Sequence, residues 1–243
     1  LIEAPPTAAT ISPDDPGQPE TLDVGADLWL SAPWLTDLLA VPQGASWPRL
    51  MSAPHPAATG SYGEEVGYAA ERRTGLPLRW WQRLALARIL EHDAQGELVW
   101  GWWLLSTARQ VGKSWLLREL LLWRIGQGAR FGEPQLVLHT GKDLPVCREV
   151  QRPARAFGKT QTGWTVREAN GMEEIEVPDG SRWIIRGKGS VYGYSSSLAA
   201  IDEAWKVDTE VVDDGIEPTM AERASSQLGL ISTAHRLATP LMP

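Results

Sequence analysis

Two hydrophobic rhythms alternate along the chain. Over LRWWQRLALARILEH (78–92) apolar residues recur at helical spacing, with Leu78, Trp81, Leu84, Ala85 and Leu90 in phase, and Pro77 suits a first turn, so a helix is predicted. ELVWGWWLLS (97–106) is an apolar run too short for most helices and predicts a buried strand. Polar TARQVGKS follows, then WLLRELLLWRIGQG, a helical pattern closed by Gly126 and Gly128. PQLVLHT (134–140) repeats the strand signal, and KDLPVCREVQRPARAFGK predicts a second helix broken near Pro153. EEIEVP and SRWIIRG predict an antiparallel hairpin joined at Pro178, Asp179 and Gly180. SLAAIDEA (197–204) and QLGLISTA (227–234) predict two more buried strands that end in polar residues. Apolar strands alternating with helices predict an α/β domain with a mostly parallel central sheet flanked by helices, its ligand site at the carboxyl ends of the strands.

The first 60 residues keep neither rhythm. They are rich in Pro, Ala, Asp and Gly, and DLWLSAPWLTDLLA (27–40) offers one short amphipathic helix. Trp29, Trp34, Leu38 and Leu39 are costly to leave in water, which favours an irregular arm packed on a core spanning 61–243 over plain disorder.

Charge sharpens this division. The net −7 splits into −8 over residues 1–70, +6 over 71–199 and −5 over 200–243. An acidic chain argues against a nonspecific nucleic-acid coat and leaves room for a basic face in the middle segment. Cys147 is alone and the histidines (55, 92, 139, 235) are scattered, so neither a disulfide nor a structural metal is expected. No apolar run reaches the roughly 18 residues of a membrane span, and the amino terminus lacks the basic-then-apolar order of a signal peptide. A soluble protein with no membrane partner is expected.

The decisive segment is Thr107, Ala108, Arg109, Gln110, Val111, Gly112, Lys113, Ser114. It matches G-x-x-x-x-G-K-[ST] except at the first glycine, here Thr107. A loop between strand and helix aims successive N–H groups at one point, where the helix dipole adds positive charge, so phosphate oxygens bind. Gly112 allows close approach, Lys113 supplies an ammonium for the β and γ oxygens, and the Ser114 hydroxyl suits Mg²⁺. The bland alternative makes Ser114 a helix N-cap. Without the first glycine, either Thr107 adopts a less permissive conformation or the loop starts differently. ATP with Mg²⁺ is the expected ligand.

A second half of such a site is an apolar strand ending in acids. Leu198 to Glu203 has this form, with Asp202 as the metal-side acid and Glu203 as general base, 89 residues beyond Lys113. A solvated turn is the alternative. Farther back, Arg148, Arg152, Arg155 and Lys159 are spaced by four, three and four, one helix face that would touch DNA phosphates, offer Arg148 as an arginine finger to a neighbour, or simply be solvated.

Together these residues resemble the ATPase domain of the large terminase subunit of tailed bacteriophages, over about residues 60–237. ARQVGKS is similar to that family's deviant phosphate loop, and SSSLAAIDEAW to its acidic strand. LRWWQRLALARIL resembles its glutamine-bearing helix, which implies that Gln82 lies on the adenine side; an exposed polar position is the alternative. GLISTA resembles its coupling motif and implies that Ser232, Thr233 and Ala234 link hydrolysis to DNA movement. The resemblance implies a P-loop NTPase fold of the additional-strand (ASCE) type and a motor packaging double-stranded DNA. It also implies partners: other large subunits in a ring, the small terminase subunit and the portal protein, in the cytoplasm of an infected bacterial host. That family's chains continue into a ribonuclease H-type nuclease domain; this one stops nine residues after Ala234, so ATPase activity without DNA cleavage is expected. A helicase-like ATPase, or a nucleotide-binding scaffold without turnover, are the competing functions.

Overall fold

In a computed structural model that describes residue 29 and residues 31–233, the chain builds a seven-stranded sheet. Its strands are β3 (Trp102–Thr107), β4 (Leu136–Gly141), β5 (Thr165–Arg167), β6 (Glu174–Glu176), β7 (Arg182–Ile185), β8 (Leu198–Asp202) and β9 (Gln227–Thr233). A separate two-residue ladder pairs β1 (Gly60–Ser61) with β2 (Glu91–His92). The sheet order is β3-β9-β8-β4-β7-β6-β5, parallel from β3 to β7 and antiparallel over β7-β6-β5. This is the mostly parallel α/β fold expected, with β9 lying between β3 and β8.

Alternation along the central strands assigns the layers. Leu198 and Ala200 of β8 face one core with Val137 and Ile231, while Ala199 and Ile201 face the other with Leu138 and Leu230. The first face is covered by helices α1 (Gly63–Thr74), α2 (Trp80–Ile89), α3 (Lys113–Arg124) and α4 (Leu144–Gly158). The second is covered by the segments on either side of β8, which bury Val191 before it and Ala204, Val207, Val212 and Ile216 after it and include a π-helical stretch, Val211–Ile216. Because both faces are dry, β4 and β8 are buried along their whole length.

Several expectations are corrected. ELVWGWWLLS begins as loop, and β3 is an edge strand: Trp103 is buried, but Trp102 and Leu104 are 44% and 56% exposed. The helix at 144–158 does not break at Pro153. That proline is exposed, so the carbonyl it leaves unbonded is set toward water while Cys147, Val150, Gln151 and Ala154 hold the helix to the sheet. Within 27–40 the described residues include Trp29, which is helical, and a 3-10 stretch, Pro33–Leu38; residues 27, 28 and 30 lie outside the described residues, so the helix expected there is not tested. α1 has no counterpart in the sequence reading, since its buried side is only Gly63, Val66 and Ala70, too thin a stripe to register as a period. Residues 1–28 of the arm and Ala234 lie outside the described residues.

Close approach fixes one residue of β9. A side chain at Gly229 would drive its Cβ into the Trp103 ring, which lies across the strand at the paired position. Gly229→Ala is expected to cost about 1–3 kcal/mol by overpacking, seen as a fall in Tm of roughly 2–4 °C per kcal/mol. Adding Trp103→Phe should recover more than half of the loss in a double-mutant cycle, and strictly additive losses would disprove the contact.

Candidate functional site

Three strands deliver the expected site residues to one edge. β3 ends at Thr107, β9 at Thr233 and β8 at Asp202, with Thr107 paired to Thr233 and Asp202 to Ile231. The polar residues that follow each apolar strand therefore gather at the carboxyl end of the sheet. Ser232 is buried within β9, and Thr233 closes it.

The loop from Thr107 to Ser114 runs straight into α3. Thr107 itself stays in regular strand pairing; the strained residue is instead Gln110, at φ 60°. Gly112 is the helix N-cap residue at φ 103°, a conformation open to glycine, and an added Cβ there would come within 2.9 Å of Gln82 Nε2. With Gly112 as N-cap, Ser114 sits exposed in the first turn of α3, so the N-cap alternative for it falls away. The Lys113 ammonium donates to the Ala108 carbonyl at 2.7 Å, reaching across the loop. Arg109 is exposed.

Charges around this edge feel one another. Burial lowers the Lys113 pKa, opposed by the carboxylates of Asp202 and Glu203 and assisted by Arg109. Burial raises that of Asp202, which is 8% exposed; the Glu203 N–H, 2.9 Å from Oδ1, pulls the other way, as does Lys113, while the Glu203 charge pushes with burial. Glu203 adopts a left-handed φ of 52°, a second strained non-glycine residue at this edge. These mutual influences place Lys113, Asp202 and Glu203 in one electrostatic neighbourhood.

Gln82 is fully buried, which removes the exposed-position alternative. Its Oε1 accepts from Arg79 N at 2.8 Å and its Nε2 donates to the Gly112 carbonyl at 2.9 Å. Arg79 adds a bond from Nη1 to the Val111 carbonyl at 3.1 Å. Arg79 was not singled out in the sequence; the only signal for it is its place three residues before Gln82.

The basic helix face is not one surface. Arg155 is buried and turned toward Gln151, so it drops out of a DNA-facing stripe. Arg148 Nε pairs with Glu173 at 2.6 Å and Nη2 bonds Asn170, which holds the guanidinium against the turn before β6. Arg152 pairs with Glu149 at 3.1 Å and Lys159 with Glu168 at 2.5 Å, yet both stay more than half exposed.

No protein-family model and no curated protein matches the sequence. Solved structures do. The large terminase of bacteriophage HK97 is similar with a TM-score of 0.58 and 19% identity, over 71% of this chain and 38% of that one. The ATPase domain of the Thermus phage P74-26 large terminase gives 0.47 and 19%, over 69% of each chain. The large terminase of another thermophilic bacteriophage, in complex with ATP-gamma-S, gives 0.44 and 12%, over 71% and 38%. The chain thus has the fold of a part of the HK97 large terminase and matches 38% of that protein's length.

The raised pKa of Asp202 carries a stability consequence. Unfolded, the carboxyl titrates near its ordinary value of 3.8; folded, it titrates higher, so the folded chain binds the proton more tightly. Stability therefore falls as pH rises from 3.8 through the folded value, then levels off. Without divalent cation, Asp202→Asn should raise the Tm at pH 7 and flatten this part of the profile. A lower Tm at pH 7 would show that the ionised carboxylate is a net stabiliser through Lys113.

Proposed function

We propose that this chain is the ATP-hydrolysing motor domain of a large terminase that drives double-stranded DNA packaging. The observation that carries the reading is the meeting of Lys113 and Ser114, of Asp202 and Glu203, and of Ser232 and Thr233 at the ends of three adjacent parallel strands, β9 lying between the other two. In this reading the N–H groups opening α3 receive the β- and γ-phosphates, and Lys113 moves from the Ala108 carbonyl onto their oxygens. Glu203 takes the proton of the attacking water as oxygen bonds to the γ-phosphorus; the bond to the bridging oxygen breaks and ADP leaves.

The donors fit Mg²⁺. Asp202 and Ser114 offer a carboxylate and a hydroxyl, the hard oxygens that this ion takes beside substrate phosphates. Among the described residues no group of three or more His, Cys, Asp or Glu side chains is set to hold a metal, which leaves the rest of its shell to phosphate and water. When bound, Mg²⁺ supplies charge neutralisation to the phosphate oxygens.

Ser232, Thr233 and Ala234 would pass hydrolysis on to DNA, whose phosphates the exposed Arg152 and Lys159 would meet. A finger role for Arg148, acting on a neighbouring subunit, requires it to leave Glu173 and Asn170. Other large subunits in a ring, the small terminase subunit and the portal protein are the partners this reading assigns, in the host cytoplasm. Among the described residues no helix is long and apolar enough to cross a membrane.

Phosphate release and nucleotide titration test the reading. Lys113→Ala should weaken ATP binding on the order of 10- to 150-fold, the effect of losing one charged phosphate contact. Glu203→Gln should keep ATP affinity and lose about 10²- to 10⁴-fold in turnover, while Asp202→Asn weakens Mg²⁺-dependent binding and turnover together. Equal, slow release from wild type and Glu203→Gln would favour the scaffold function. Unchanged affinity in Lys113→Ala would move the site elsewhere.

A further inference from the structure

Two consecutive carbonyls of the loop are held from behind by one helix. Arg79 Nη1 donates to the carbonyl of Val111, and Gln82 Nε2 to that of Gly112, which also accepts the first bond of α3 from Leu116 N at 3.1 Å. Each carbonyl shares a rigid peptide plane with the next N–H: Val111 with Gly112 N, Gly112 with Lys113 N. No peptide bond among the described residues is cis, so in both planes the N–H points opposite to the C=O. Fixing the two carbonyls toward α2 fixes the N–H groups of Gly112 and Lys113 away from it. These are donors that the start of a helix cannot satisfy internally.

The two anchoring side chains are themselves locked together. Gln82 Oε1 accepts from the Arg79 backbone N–H at 2.8 Å, so the amide bridges the first turn of α2 and the loop with both of its polar atoms in use. Gln82 is fully buried, and its amide lies where a Gly112 side chain would project. Two of the amide's four hydrogen-bonding positions are committed to the turn and the loop, and burial keeps the side chain from solvent. Its geometry serves the loop backbone.

We infer that Arg79 and Gln82 are positioning residues for polyphosphate: by holding the Val111 and Gly112 carbonyls they pre-aim the N–H groups of Gly112 and Lys113 at the phosphate oxygens, whatever base the nucleotide carries. The inference rests on the nucleotide reading above. Pre-aimed donors bind more tightly because the loop does not have to be ordered when the ligand arrives.

Tripolyphosphate, which has no base, separates this role from base recognition. Gln82→Leu changes no charge, and Arg79→Gln removes one that can be assessed by repeating the titration at several salt concentrations. Both variants are expected to lose affinity for ATP and for tripolyphosphate by the same factor, on the order of tenfold, the value of about one charge-assisted hydrogen bond. The amide resonances of Gly112 and Lys113, which shift on ligand addition to wild type, should shift less at saturation in each variant. A merely structural role would lower the Tm without moving the saturated shifts. If Gln82→Leu weakens ATP but binds tripolyphosphate as wild type does, the glutamine reads the base and the inference fails. It fails alone if wild type binds both ligands and neither variant alters affinity. If wild type binds neither ligand, the nucleotide reading falls and takes the inference with it.

Discussion

The turn of the backbone at Gly112 sets the geometry on which the rest of the candidate site depends. At φ 103° the chain passes from an exposed loop directly into α3, with Gln82 pressed against the glycine where a side chain would otherwise stand. That helix is the best-buried of the four, with Leu116, Leu117, Leu120 and Leu121 fully enclosed between the sheet and the other helices. A helix so held cannot tilt without opening the core. Its first-turn N–H groups and Lys113 are thereby fixed relative to the ends of β8 and β9.

The same edge concentrates unfavourable contributions. Gln110 and Glu203 hold left-handed backbone conformations, and Lys113 and Asp202 are each partly removed from water. Each costs stability, and the surrounding close-packed layers offset that cost. These features meet at the ends of three parallel strands, where the proposed function would place the phosphates and Mg²⁺.

The amino-terminal residues bear on this site through α2. Glu91, fully buried, accepts from Trp34 Nε1 at 3.2 Å, His55 N at 3.0 Å and Trp100 Nε1 at 2.8 Å, and pairs with Arg88. Trp80 Nε1 donates to the Leu38 carbonyl at 2.9 Å, and Leu35 and Leu38 pack on Leu84 and Ala87. These contacts clamp α2 from one side while Arg79 and Gln82 hold the loop on the other. The irregular segment thus supports the helix that supports the loop.

Local chemistry was legible in the sequence wherever a residue's role depends on its near neighbours. The apolar runs ending at Thr107, Asp202 and Thr233 and the Gly-Lys-Ser step needed no partner to be recognised, because strand periodicity and helix initiation are properties of a few consecutive residues. Partnership across the chain was not legible. That Trp103 requires Gly229, that Gln82 spends its amide on Gly112, that Arg155 turns inward and that Pro153 is tolerated on a solvent face all follow from which surfaces meet when the sheet assembles. The physical reason is that hydrogen-bond satisfaction and close packing are settled between segments distant in sequence, and only the tertiary structure brings those segments within reach.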